Sequence, residues 1–270
     1  MTEFLSFEFV QRALLSGVML GTTCAVLSFF VVLRRMAFVG VGLSHAALGG
    51  VALGVVLGLP PLLAAGVFTV AVAWVIGWMG GRSKLSEDTA IGVFFPTAMA
   101  LGVVLMSLSP EYRQDLVGYL FGNILSVGPG QVLPLLMLTG VTLGVLTFYF
   151  KELLFLGVDP DAAQAAGIPV TALRFLLLTL LAITIVASVK LVGIVLVSAF
   201  LVIPAATGQA VARSLRAMLG LAVGTAIGSV LGGLWLSWLW DLPSGATIVL
   251  VSASLFFVAV VVGRVRGQAA

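Results

Sequence analysis

An all-α bundle that crosses a membrane about nine times (eight to nine) is the fold this sequence predicts, and three observations lead there. Charged residues make up 9% of the 270 positions, where a water-soluble domain carries about 25%. Mean hydropathy is +1.26, so most of the surface cannot face water. Apolar runs of about 20 residues recur between Gly, Pro and a few charges; a spanning helix needs that length, whereas a membrane barrel alternates over about ten. The reading is a single transmembrane domain, residues 1–270.

The apolar runs place spans at Phe9 to Leu33, Phe38 to Gly58, Pro61 to Met79, Ala90 to Leu108 and Val132 to Phe150, then Thr171 to Val189, Leu191 to Ala212, Ala217 to Trp240 and Ala246 to Val262. With this count Arg34, Arg35, Arg82, Lys84, Lys151, Arg174, Arg213, Arg216, Arg264 and Arg266 fall on one side, and Arg12, Arg113 and Lys190 on the other. Basic residues gather on the cytoplasmic side of membrane proteins. The expected topology is therefore an outside N-terminus and a cytoplasmic C-terminus, and merging the sixth and seventh spans would break it. Glu3 and Glu8 and the length of the first run argue against a cleavable signal peptide. Net charge of +3 reads as topology and not as a nucleic-acid patch.

Asp159 to Pro169 is the polar exception. Asp159 suits a helix N-cap and Pro160 the first helical position, where a missing N–H costs nothing. Gly167 supplies a left-handed stop, and Pro169 prevents the helix from resuming. On these residues alone the segment is a short capped helix on the cytoplasmic face, a connector first and a docking element second.

Other residues single themselves out. His45 is the only histidine, about ten residues beyond the first arginines, hence roughly 15 Å into the second span. An imidazole at that depth needs a partner or a wet cavity; it also suits zinc and similar metals. A histidine hydrogen-bonded to a neighbouring helix fits the same residues. Pro204 in the seventh span must disturb the backbone bond toward Phe200, as a kink or as part of a pathway. Gly220, Gly224, Gly228 and Gly232 lay a flat groove along the eighth span, and Gly50, Gly54 and Gly58 do so in the second. Such grooves serve packing inside the bundle or a homodimer seam. Glu87 and Asp88 suit the start of the fourth span by the helix dipole. Leu116, Tyr119, Leu120 and Ile124 recur at helical spacing, as in a short interfacial helix. The lone Cys24 excludes an intrachain disulfide.

Asp161-Ala162-Ala163-Gln164-Ala165-Ala166-Gly167 resembles the EAAxxxG coupling loop of ATP-binding-cassette (ABC) importer permeases, with Asp in place of Glu. Arg34 to Ala46, Leu85 to Gly92, Asp115 to Leu125, Gly193 to Thr207 and Pro243 to Thr247 resemble, in order, stretches of the zinc and manganese ABC permeases. The resemblance implies that Asp159, Asp161, Ala162, Ala163 and Gly167 form a coupling helix docking on an ABC ATPase subunit. Apart from the resemblance, Ser198 and Pro204 in the seventh span are candidates for a kink or for the ion pathway. The resemblance also implies a metal site at His45 with an Asp four residues earlier; here that position is Val41. Cys24 is an alternative companion for His45.

None of the lysines Lys84, Lys151 and Lys190 follows a glycine, so no nucleotide-cradling P-loop is present, and no acid lies within the spans to relay protons. Energy for uphill transport must come from a partner. The expectation is a non-catalytic permease subunit in a prokaryotic cell membrane, without tightly bound cofactor. It would be paired with a second permease copy, ATPase subunits and an extracellular or periplasmic metal-binding protein, in contact with membrane lipid and not with nucleic acid. The transported ion would be zinc first and manganese second, because imidazole without carboxylate is an oxygen-poor environment. An organic or chelated-metal cargo, or a scaffold subunit with no pathway, are the alternatives.

Overall fold

Helices account for all the regular structure among the residues that the computed structural model describes, 7–82, 87–107, 122 and 124–265. They are α1 (Glu8–Leu33), α2 (Val39–Val56), α3 (Pro61–Arg82), α4 (Glu87–Ser107), a 3₁₀ turn (Ile124–Ser126), α5 (Pro129–Phe148), α6 (Phe150–Val158), α7 (Pro160–Ala165), α8 (Val170–Phe200), α9 (Ile203–Val211), α10 (Leu215–Trp240) and α11 (Ser244–Val265). Nine segments among these residues are long and apolar enough to cross a membrane. The expected interfacial positions Leu116, Tyr119 and Leu120 lie outside the described residues; Ile124 is buried at the start of the 3₁₀ turn.

Whether α8 is one crossing or two decides the topology. Its helix is interrupted at Gly193, whose φ of 81° and ψ of 163° belong to a backbone region only glycine enters freely. Arg174, early in α8, and Arg213, just past α9, line the same cavity as Arg34 and Asp88. The chain thus leaves the arginine-rich end of the bundle and returns to it. Gly193 marks the far end, where Gly122 (φ 55°) abuts the backbone of Val192 and Gly193 so closely that a Cβ has no room. The sixth and seventh spans are therefore separate, as the charge count requires.

Packing divides the bundle around α8. Helices α2, α3 and α4 pack together on one side; α1, α9, α10 and α11 pack on the other, and α8 touches both groups. Gly50 and Gly54 serve the first group as expected. A Cβ at Gly50 would come 2.7 Å from the Ala65 Cα, and one at Gly54 2.8 Å from the Ala64 Cβ. Gly58 instead forms the following turn at φ 66°. The eighth span departs from the packing expectation. Open space surrounds Gly220, Gly224 and Gly228, and Gly232 is in ordinary contact with Val251 at 3.5 Å. The tight seam with α11 is made by Gly233, beside Ile248.

The return limb breaks again after Phe200. Pro204 stands in the first turn of α9, where proline is tolerated, so the segment forms two helices and not one kinked helix. A break inside apolar surroundings exposes backbone N–H groups that water cannot reach. One of them, on Ala205, donates to the Ser28 hydroxyl of α1 at 3.1 Å, and Ser28 is wholly buried. Ser28→Ala is expected to lower stability by about 1–3 kcal/mol, the cost of an unmet buried donor. Thermal unfolding of the purified chain in detergent measures it; no loss would mean that the amide finds another acceptor.

Candidate functional site

The Asp159 segment forms as its residues dictate. The Asp159 side chain accepts from the Ala162 N–H at 2.9 Å, and Pro160 occupies the first helical position of α7. At the other end Gly167 takes φ 81°. Its N–H donates to the Gln164 carbonyl at 3.0 Å, and that of Ile168 to the Ala163 carbonyl at 3.1 Å. This pair of bonds is the Schellman closure that a C-terminal glycine permits. Ala163 is fully buried, whereas Asp161, Gln164, Ala165 and Gly167 are exposed. The small buried residue seats the helix on the bundle and leaves the polar face outward.

Helix α6 ties α7 to the core. Phe150 stacks on Phe29 (centroids 6.2 Å, 13° between planes) and meets Phe30 edge-on at 5.7 Å. Leu153 and Leu156 are buried. A Cβ at Gly157 would stand 2.6 Å from Leu33 Cδ2, so α6 lies as close to the end of α1 as glycine allows. Close packing thus links α7, through α6, to α1.

His45 lies on α2 between Gly42 and Gly49, three residues after one and four before the other, a spacing that puts all three on one helix face. That face meets α4. A Cβ at Gly42 would be 2.7 Å from Ile91 Cγ2, and one at Gly49 2.9 Å from the Ala98 carbonyl oxygen. Between these contacts the half-buried His45 ring meets Phe95 edge-on, centroids 4.6 Å apart at 82°. Pro96 follows inside α4 and removes the N–H that would meet the Gly92 carbonyl. Residues 34–38 form the turn before α2, so His45 is six residues along the helix and about 9 Å from its start. The residues from Arg34 to Phe38 therefore do not count as helical rise.

His45 Nδ1 lies 2.9 Å from the Val41 carbonyl oxygen. A carbonyl only accepts, so Nδ1 carries the proton, and in the neutral ring Nε2 keeps its lone pair. The position that lacks a carboxylate thus still orients the imidazole, through its backbone. Metal-binding histidines use their second nitrogen in this way. Among the described residues no group of three His, Cys, Asp or Glu side chains is gathered for a metal, so one chain offers an ion a single imidazole. Cys24 is no companion: it is walled by Gly21, Leu196, Phe200 and Val230 in a small apolar cavity. Ser44, beside His45, is fully buried with no partner for its hydroxyl.

Ser198 is half-buried and bonds within its own helix, donating to the Ile194 carbonyl at 2.8 Å. Its carbonyl oxygen faces Gly40, 3.6 Å from where a Cβ would stand, so it reaches α2 five residues before His45. The structure brings Gly42, Gly49 and Phe95 to His45. The histidine-centred glycine spacing could have flagged the first two; nothing local points to Phe95. Gly49→Ala is expected to push α4 outward and cost about 1–3 kcal/mol, whereas Gly220→Ala, in open space, should leave the single chain unharmed. Comparing their unfolding temperatures checks the seam, and equal effects would contradict it.

Residues 6–263 match the ABC 3 transport family. The membrane protein ZnuB of a high-affinity zinc uptake system in Haemophilus influenzae is 38% identical over 250 residues, 93% of this chain and 96% of that protein. MntC, a membrane protein of a manganese transport system in Halalkalibacterium halodurans, is 37% identical over 257 residues, 95% and 88% of the two. Among solved structures, PsaBC from Streptococcus pneumoniae in complex with a Fab superposes with a TM-score of 0.83 at 34% identity, covering 96% of this chain and 94% of that one.

Proposed function

The chain belongs to the ABC 3 transport family, and from that premise we propose that it is the membrane permease of a divalent-metal importer that brings its ion past His45. The single observation that carries the site is the imidazole whose Nδ1–H is held by the Val41 carbonyl, leaving Nε2 for an ion. Relatives named for zinc and for manganese transport favour those metals as the cargo. Zinc comes first, because a nitrogen donor without a carboxylate favours a borderline-soft ion. One weak donor per chain suits a site that must release what it binds.

The arginine-rich end faces the cytoplasm by the positive-inside bias. There the exposed face of α7 meets a separate ATPase subunit, and a binding protein delivers the ion at the opposite end. Two copies of the permease pair with two ATPases. Closure of the ATPases moves α7; α6 and its Phe29–Phe30–Phe150 contacts pass the movement to α1, and the path past His45 exchanges outward for inward access. The seam of α2 and α4 around His45 has the glycine contacts that let helices approach closely.

His45→Ala is expected to lower ATP-dependent uptake of radiolabelled zinc by the reconstituted complex by roughly tenfold to a hundredfold, as for loss of a metal-orienting group, with ATPase assembly intact. Unchanged uptake would leave His45 a packing residue, and manganese uptake indifferent to competing zinc would overturn the order of metals. Asp161→Lys, on the exposed face of α7, should spare the fold and weaken copurification of the ATPase. If the ATPase is retained and fully coupled, α7 is only a connector.

A further inference from the structure

The stretch of α4 that meets His45 carries a break in its own hydrogen bonding. Gly42 of α2 packs on Ile91 of α4, and Gly49, seven residues on, packs on Ala98, seven residues beyond Ile91. The two helices therefore run parallel and in step, which sets His45 level with Phe94. Gly92 lies two residues nearer the helix start, about 3 Å short of that level. It also stands three residues before Phe95, whose ring meets the His45 ring edge-on, and positions three apart are neighbours on a helix surface. A helical carbonyl points along the axis toward the residue four ahead, so the Gly92 oxygen is directed to the height of the imidazole.

The residue four ahead is Pro96, which has no N–H to give. In membrane helices a nearby Ser or Thr side chain often mends such a break. Here the Thr97 hydroxyl donates to the Val93 carbonyl instead, at 2.7 Å, and a hydroxyl has one proton to donate. Nor does packing fill the place. A Cβ on Gly92 would meet nothing within 4 Å, and Gly92 and Pro96 are both exposed in the single chain. Both lie inside the fourth span, Asp88–Leu105. A backbone acceptor deprived of its helical donor is tolerated at membrane depth where it lines a wet path or meets a cation.

The one donor side chain on this path is an imidazole, and with Val41 one turn before it no carboxylate brings an oxygen. A peptide carbonyl is a neutral oxygen donor with two lone pairs. Imidazole nitrogen suits zinc, and carbonyl oxygen suits manganese. Lacking a formal charge, the carbonyl holds a dication less firmly than a carboxylate would. We infer that the Gly92 carbonyl oxygen is a second ligand for the ion at His45, presented by α4 because Pro96 withholds its usual partner. The inference rests on the reading that an ion passes His45 and names the group that adds oxygen to that site.

Pro96→Ala restores the N–H and returns the Gly92 carbonyl to its helix. The test follows the His45 ring in the full chain, ¹⁵N-histidine labelled, in nanodiscs; zinc is titrated by resonance shift and manganese by paramagnetic broadening. Pro96→Ala should weaken manganese binding roughly tenfold, the lower end for loss of a metal-supporting group. Zinc binding should fall by less, so that preference moves toward zinc. Pro134→Ala, which restores an N–H inside α5, should change neither. Electron–nuclear double resonance of bound manganese, on the unaltered chain labelled with ¹³C at its glycine carbonyls, should show a strongly coupled carbon and needs no variant to fold. The inference fails if that coupling is absent, or if Pro96→Ala leaves both affinities unchanged. It also fails if both fall equally, as a general disturbance of α4 would make them, or if Pro134→Ala has the same effect. Each of those results leaves the transport reading standing, because His45 still binds metal. A His45 ring that ignores both metals in the unaltered chain overturns the transport reading, and this inference with it.

Discussion

A backbone amide inside a bilayer must find a partner within the protein, and this chain is built around the places where an unbroken helix would have supplied one and does not. The seventh crossing ends at Phe200 and begins again at Ile203. What makes that tolerable is a wholly buried hydroxyl on another helix, Ser28, accepting from Ala205. That bond joins α1 to the return limb. The same limb lies against the start of α2 through Leu201 and Gly40, so the break connects both halves of the bundle. Elsewhere the constraint is met locally. Gly193 interrupts α8 at the far end of the bundle, and Pro204 sits where a helix has no N–H to lose.

The same economy shapes the two regions on which the functional reading depends. At α7 both ends are capped by neighbouring residues, and the buried Ala163 and the α6 connection hold it to the bundle. A rigid element on a tight tether can transmit displacement. At His45 the surroundings are apolar and close, with Phe95 on the ring edge and glycine seams on either side. One ring nitrogen is engaged by the helix itself; on the proposed reading the other meets the ion, a single oriented side-chain donor suited to a group an ion passes.

Much of this was legible in the sequence wherever the signal was local. Hydropathy located nine crossings, because burial in lipid demands uninterrupted apolar length. The cap, proline and glycine of the Asp159 segment defined α7, because those groups satisfy neighbouring backbone atoms. What depended on distant residues was not legible. The helical distance from Arg34 to His45 was not legible, because residues 34–38 form a turn before the helix begins at Val39. The groove of Gly220, Gly224 and Gly228 reads as internal packing or as a seam between copies, and within one chain the structure leaves it open; periodicity shows a small face but not what covers it. The contact of Phe95 with His45 and the cavity lined by Arg34, Arg174 and Arg213 come together only when helices far apart in the chain are placed side by side.

The central claim is that an ion meets His45 at Nε2 while Nδ1 stays bonded to Val41. Since the chain has one histidine, ¹⁵N-histidine labelling reports this ring alone. Nitrogen NMR of the labelled chain in nanodiscs, titrated with zinc, should show the Nε2 resonance moving as metal binds while Nδ1 keeps the signature of a protonated, hydrogen-bonded nitrogen. A ring whose two resonances ignore zinc, or whose Nδ1 gives up its proton to the metal, would contradict the account.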